Sequence, residues 1–223
     1  MDSAVTRMHR TLRRRLLAVS PLVVLAPWSA LAALKADEPS GEPHFRDQLR
    51  GALDELQRSG HPAIRRLYVA AAASPATIAF RRMTDDPATW SNDGDPDRGH
   101  TEPDDGRPKR EGRTEPTNAT IFIPISAVEP GSARWKSGLL VHELVHALDL
   151  TSGRYNRDYT VRERRAVFIQ NIWREHVGHP LRVSYHRRFA TLDYQHASAH
   201  GQVTEYLQYI FSRPDFPAPP PAP

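Results

Sequence analysis

Two histidines set four residues apart in an apolar run constrain this chain more than any other feature. The run is LLVHELVHALD, over residues 139–149. Because side chains four residues apart lie on one face of an α-helix, the rings of His142 and His146 can converge on one metal ion. The flanking leucines predict that this helix is buried in a core, with Ser137 as its N-cap and Gly153 at its end.

An acidic residue lies between the two histidines. Glu143 is about 100° further round the helix than His142, so it does not compete for the metal and can reach a water beside it. This is the pattern of the HExxH zinc hydrolases, in which the glutamate acts as general base and acid. The alternative is a structural helix whose histidines only bond to their neighbours. The pattern favours His142 and His146 as zinc ligands and Glu143 as the catalytic residue.

A catalytic zinc usually takes three protein ligands and leaves its fourth position for water, so a third ligand is expected. The chain has no cysteine, which leaves histidine and carboxylate as donors. Glu163 is favoured because a turn near Gly153 lets a second helix, over residues 160–176, return along the first. The alternative interpretation of Glu163 is a solvated charge, with Glu175 as the next candidate. Asp149 is expected to orient a histidine ring, and the site to hold one Zn²⁺ per chain.

A hydrolase of this kind also needs a hydrogen-bond donor for the oxyanion of its substrate. Tyr185, Arg182 and His186 follow the predicted second helix and carry suitable groups. Of these we favour Tyr185, for which the alternative is a core tyrosine with a satisfied hydroxyl.

The rest of the chain predicts an α+β fold. Helical spacing of apolar residues runs over 44–59, and β-prone segments occur at 67–69, 76–80 and 119–125. Pro124 marks an edge or the end of the last strand, and an edge strand beside a metal cleft can pair with an extended peptide, although an ordinary sheet strand fits equally well. We expect a zincin-like architecture, in which the active-site helix packs beside a small antiparallel sheet and the C-terminal half is helical.

The length of 223 residues suits one domain with tails. Arginines at 13–15 precede an uncharged run over 16–34, which predicts that residues 1–34 are a signal peptide or an N-terminal anchor. We expect export across the bacterial inner membrane, to the periplasm or beyond, or anchoring in that membrane by residues 16–34. The domain would span residues 35–213, followed by a Pro-rich tail over 214–223.

One long segment has a different composition from its neighbours. Residues 84–118 are rich in Asp, Pro and Gly and contain almost no apolar side chains. Such a segment buries too little surface to offset the entropy of ordering it. We therefore predict a disordered acidic loop there.

The charge balance limits the partners. The formal net charge is +4, with arginine spread along the chain and no nucleic-acid motif, so we expect no nucleic-acid partner. A basic envelope-binding protein with a purely structural helix is the non-enzymatic alternative. The sequence carries no signal for an oligomeric state.

Four short elements resemble a known family. After the HELVHA helix come ERRAV at 163–167, QNIWREH at 170–176 and GHPLRVSY at 178–185. In this order they resemble the HELVHA, E-x-x-A-V, E-N-x-x-R-E and G-x-P-L-R-x-x-Y elements of the NleD-like bacterial effector zinc metalloproteases. The segment from 45 to 54 is similar to the opening helix of that family, so the resemblance runs from about residue 45 to 185.

The resemblance implies a zinc-dependent endopeptidase with a protein or peptide substrate. It implies His142, His146 and Glu163 as ligands and Glu143 as the catalytic acid and base. Gln170 departs from the family, which has glutamate there, and the segment before it is shorter. Family members act on host kinases, but an export signal does not suit that substrate. A zinc amidase acting on cell-wall peptides would use the same residues.

Overall fold

The computed structural model describes residues 34–36, 43–84 and 98–182, together with 205, 206 and 208. Of the predicted signal or anchor over residues 1–34 only Leu34 is described, and Tyr185 and the Pro-rich tail lie outside the described residues. No helix in the described part of the chain is long and apolar enough to span a membrane.

The fold is α+β, with five helices and a four-stranded mixed sheet among the described residues, and its C-terminal part is helical. The strands are β1 (Leu34–Ala36), β2 (Ile78–Arg82), β3 (His100–Pro103) and β4 (Ala119–Ile123). The helices are α1 (Pro43–Arg58), α2 (Pro62–Ala72), α3 (Ala133–Lys136), α4 (Leu139–Thr151) and α5 (Tyr159–His176). The predicted helices over 44–59 and 160–176 are confirmed as α1 and α5, and the strands over 76–80 and 119–125 as β2 and β4.

The strand order is β1-β2-β4-β3. β2 runs parallel to both β1 and β4, and only β3 is antiparallel to its neighbour β4. The prediction of an antiparallel sheet is therefore wrong. Parallel neighbours need a crossover of a dozen or more residues, and α1 and α2 provide it between β1 and β2.

The strand predicted at 67–69 is also wrong, because these residues lie in α2. Three β-prone residues cannot by themselves separate a strand from a buried helix. Pro62 at the start of the helix and buried residues at helical spacing, Ile64, Leu67 and Ala71 among them, favour the helix. With a strand predicted in place of α2, the helical crossover between β1 and β2 could not be recognised, and neither could their parallel pairing.

The segment predicted as a disordered loop differs from that prediction within residues 98–118, where β3 forms. Arg113 is buried and organises the turns that follow, because its guanidinium donates to Asp105 and to the carbonyl oxygens of Arg107 and Gly112. Hydrogen bonding from the Arg113 guanidinium to the Asp105 carboxylate lowers the pKa of Asp105 to about 2. A buried arginine therefore orders a segment that has few apolar side chains.

β3 also changes which strand lies at the edge. β4 pairs on both sides, with β2 and β3, so it is an inner strand and Pro124 follows its last residue. The edge strand next to α4 is β3, which pairs with β4 and also contacts α4.

The start of α4 is held by α5. Gly138, not Ser137, is the N-cap, with a φ of 71° that favours glycine. The hydroxyl of Ser137 instead donates to the carbonyl oxygen of Arg134. The side-chain amide of Gln170 donates to the carbonyl oxygen of Ser137 at 2.6 Å, and the Trp173 indole donates to that of Trp135.

The end of α4 agrees with the sequence. Gly153 has a φ of 64° and its N–H donates to the carbonyl oxygen of Leu150, while the N–H of Arg154 donates to that of Asp149. These two bonds form a Schellman motif, which ends the helix and turns the chain toward α5.

Gly138→Ala should destabilise the fold by roughly 2 kcal/mol or more. An alanine there would have to adopt the left-handed backbone conformation, and its Cβ atom would lie 2.9 Å from Cδ1 of Trp173. Gly131→Ala is the matched control, because Gly131 has a φ of 77° but no atom within 4 Å of the added Cβ. Urea denaturation should show a clearly larger loss for Gly138→Ala. Equal losses would mean that the contact with α5 does not hold the start of α4.

Candidate metal centre

The predicted metal site lies between two packed helices. α5 runs antiparallel to α4, since contacts pair the start of α4 with the last turns of α5 and the end of α4 with its first turns. His142, Glu143, His146 and Glu163 are each only 4–6% exposed. Four buried ionisable side chains within two helices require close mutual pairing or a ligand.

The structure brings the three predicted ligands together. Nε2 of His142 lies 3.2 Å from Oε2 of Glu163, and Nε2 of His146 lies 3.3 Å from Oε1 of the same carboxylate. The two Nε2 atoms are 3.2 Å apart. These three residues form the one group of three or more potential metal ligands found in the described part of the chain.

These separations fit a single small cation. Zinc binds histidine nitrogen and carboxylate oxygen at about 2.0–2.1 Å, and a tetrahedron with arms of that length has edges of about 3.3 Å. The two Nε2 atoms lie 3.2 Å apart, and each lies 3.2–3.3 Å from a different oxygen of the Glu163 carboxylate. One donor atom from each residue lies within 4.8 Å of the others, so the group could hold one metal ion.

The pKa values of Glu163 and His146 depend strongly on each other's charge. Burial disfavours the charged form of Glu163, but the adjacent His146 and His142 outweigh it and hold the pKa of this carboxyl well below its usual range. Burial likewise opposes a charge on His146, yet the carboxylate of Glu163 raises the pKa of this imidazole. A glutamate whose ionised form is favoured, facing two imidazoles, is a donor set that suits a divalent cation.

Asp149 does not orient a histidine ring as predicted. Its fully buried carboxylate accepts two hydrogen bonds from Nη1 of Arg165, at 2.9 and 3.0 Å, and one from the hydroxyl of Tyr206 at 3.0 Å. Burial raises the pKa of Asp149 and Arg165 opposes this shift. Nδ1 of His146 is buried and has no hydrogen-bond partner within the described residues.

The Asp149 pair sets the relative position of the two ligand-bearing helices. Asp149 follows His146 by three residues on α4, and Arg165 follows Glu163 by two residues on α5. A partly buried ion pair beside the ligands therefore fixes how far His146 lies from Glu163. The hydroxyl of Tyr206 also reaches the carbonyl oxygen of Val145, so a residue far downstream in sequence braces the same turn of α4.

Glu143 is held from the other side, by the sheet. Its Oε2 accepts a hydrogen bond from the hydroxyl of Thr101 on β3, at 2.8 Å. The carboxylate therefore lies between the metal-ligand triad and the edge strand, on the helix that carries both histidines.

The remaining candidates lie elsewhere. Glu175 is exposed near the end of α5, twelve residues beyond Glu163, which corresponds to about 18 Å along a helix. Arg182 is half-buried, with its main chain bonded to the side chain of Asn171. Tyr185 and His186 lie outside the described residues.

Sequence reasoning missed Thr101, Arg165 and Tyr206. Each acts through a contact between residues far apart in the chain, which no local spacing records. The only local signal was that Arg165 follows Glu163 by two residues. Arg162 and Arg164, on either side of Glu163, made that signal ambiguous.

Comparisons with known proteins add no relative: no protein-family model, no curated protein and no solved structure matches this chain.

The chain should bind about one zinc ion, and His142→Ala should reduce the bound zinc to less than about a tenth of that, because two ligands rarely retain a catalytic zinc. His44→Ala is the control, since the side chain of His44 is 64% exposed on α1. Metal analysis after gel filtration measures both variants. Full zinc content in His142→Ala would remove this residue from the ligand set.

Arg165→Met should cost about 3 kcal/mol of stability, since it leaves the Asp149 carboxylate buried without its cation, and should weaken zinc binding as the helices shift. Arg164→Met is the matched control, because Arg164 is the exposed neighbour on α5. Denaturation curves and zinc titrations of both variants provide the comparison. Equal effects of the two substitutions would contradict a role for the ion pair.

Proposed function

We propose that the protein is a zinc-dependent endopeptidase that hydrolyses peptide bonds. The observation that carries this proposal is the convergence of His142, His146 and Glu163, whose donor atoms all lie within 4.8 Å of one another, next to Glu143. A His, His, Glu donor set with a fourth position left for water is the arrangement of catalytic rather than structural zinc sites.

Each residue of the group has a distinct part. His142, His146 and Glu163 would hold the ion, which supplies a Lewis acid that polarises the substrate carbonyl and makes a neighbouring water more acidic. Glu143 follows the ligand His142 directly in sequence and hydrogen-bonds to Thr101 rather than to a ligand side chain, so its carboxylate is available for proton transfer.

The proposed reaction is a proton shuttle on Glu143. Its carboxylate takes one proton from the water as the water oxygen bonds to the carbonyl carbon. It then delivers this proton to the departing nitrogen as the C–N bond breaks. The Glu143 carboxylate ends in its starting form, and the products are a carboxylic acid and an amine, which exchange the remaining proton to give a carboxylate and an ammonium group. We propose Tyr185 as a hydrogen-bond donor to the oxygen that becomes negative during this step.

The choice of a peptide substrate has separate support. The ordered elements ERRAV, QNIWREH and GHPLRVSY, downstream of the HELVHA helix, resemble the NleD-like zinc metalloproteases. The export pattern of residues 1–34 favours action beyond the inner membrane, which makes an envelope or secreted protein a more suitable substrate than a host kinase.

Glu143→Gln should retain zinc and lose turnover by a factor of about 10³ or more, because the amide cannot accept a proton from water. Cleavage of a mixed peptide library by the zinc-loaded chain, analysed by mass spectrometry, measures this. Glu175→Gln is the matched control, because Glu175 is an exposed glutamate on α5, and it should retain both zinc and turnover.

Two results would contradict the proposal. Undiminished cleavage by Glu143→Gln would remove this carboxylate from its role. Cleavage of cell-wall peptides but not of any library peptide would replace the endopeptidase with an amidase that uses the same residues.

A further inference from the structure

The hydroxyl of Thr101 is the one side-chain group from the sheet that reaches the proposed catalytic carboxylate among the described residues. Thr101 is 4% exposed and lies in β3, the edge strand. Its Oγ1 is 2.8 Å from Oε2 of Glu143 and 3.2 Å from the main-chain oxygen of the same residue. Thr101 therefore lies against both the carboxylate and the main chain of Glu143.

The hydroxyl has a single proton for these two acceptors. The carboxylate oxygen is the closer one and carries charge, and hydrogen bonds to charged acceptors are shorter and stronger than those to neutral carbonyls. Oε2 is therefore the principal acceptor. Oε1 of Glu143 accepts no hydrogen bond from any side chain or backbone group in the described part of the chain.

The position of the hydroxyl is itself well determined. Thr101 pairs with Ile121 of the inner strand β4, and its branched side chain has few rotamers in a strand. Just before β3, Gly99 lets the strand approach α4, because a Cβ atom there would lie 2.9 Å from Cδ2 of Leu139. The sheet and the helix are thus in direct contact where Thr101 meets Glu143.

We propose that Thr101 is a positioning residue for the hydrolysis. Its hydroxyl holds Oε2 of Glu143, so that Oε1 is the oxygen that exchanges protons with water and the leaving amine. The inference rests on the proposed function, in which Glu143 is the proton carrier. It assigns to the edge strand a part in catalysis beside any contact with substrate.

The test replaces the hydroxyl without changing the shape of the side chain. Thr101→Val should lower kcat by about tenfold to a hundredfold, the equivalent of one hydrogen bond to a charged group. KM for peptide and zinc content should stay within about twofold, because the bond acts on the proton carrier and not on substrate binding. Thr101→Ser restores the hydroxyl and should recover most of the lost kcat.

A matched control comes from the neighbouring strand. Thr120 on β4 is also buried, at 5% exposure, but its hydroxyl donates to Asp104 at 2.8 Å. Thr120→Val makes the same chemical change in the same sheet and should leave kcat within about twofold. A comparable loss of kcat in both variants would attribute the effect to the sheet and overturn the proposal.

A second background tests whether Thr101 acts through Glu143. In Glu143→Asp the carboxylate is one methylene shorter and no longer reaches Thr101, while a proton acceptor remains. Thr101→Val should then cause no further loss of kcat beyond about twofold, because the two changes remove the same interaction. A full additional loss would overturn the proposal.

A crystallographic measurement separates this inference from the proposed function. In crystals of the zinc-bound chain, Glu143 should occupy one rotamer in the wild type and in Thr101→Ser, and several in Thr101→Val. One unchanged rotamer in Thr101→Val would overturn the positioning role. A chain that cleaves no peptide would refute the endopeptidase proposal, while the rotamers would still decide whether Thr101 positions Glu143.

Discussion

The ion pair between the buried Asp149 and the partly buried Arg165 fixes the arrangement on which the candidate site depends. The candidate metal ligands from the two helices meet only if the helices pack at one register, and a single-turn slip would separate Glu163 from the histidines by about 5 Å. The ion pair lies just beyond His146 on one helix and Glu163 on the other. Any other register would leave the buried carboxylate of Asp149 without its cation, and this cost works against such a shift.

A second set of contacts fixes the opposite end of the same helix pair. Gln170 donates its amide N–H to the carbonyl oxygen of Ser137, and Gly138 lies against Trp173. An ionised glutamate at position 170 would have no proton to donate to that carbonyl, so the amide of Gln170 suits this contact. Because α4 is held at both ends, the contacts there can offset the cost of burying two histidines and a glutamate in its central turns.

The sequence predicted the parts of the molecule that local patterns encode. Helical spacing located α1, α4 and α5, and the i, i+4 histidines placed two donors on one face. It failed at the segment 67–69, where three residues carry no period, and at residues 98–118, where Arg113 supplies order that apolar content does not reveal. Both errors concern the sheet: the first replaced part of the crossover helix α2 with a strand, and the second left out the edge strand β3.

The sequence alone determined the chemistry of the site: two imidazoles and a carboxylate on one helix, no cysteine, and glutamates on a second helix that follows a glycine turn. Tertiary structure decided which carboxylate joins the two histidines, because the packing of α5 against α4 brings Glu163 to them and leaves Glu175 exposed. It also decided that Asp149 pairs with Arg165 and that Thr101 reaches Glu143. These are contacts between residues 16 and 42 positions apart, and their free energies depend on burial that exists only after the chain has folded.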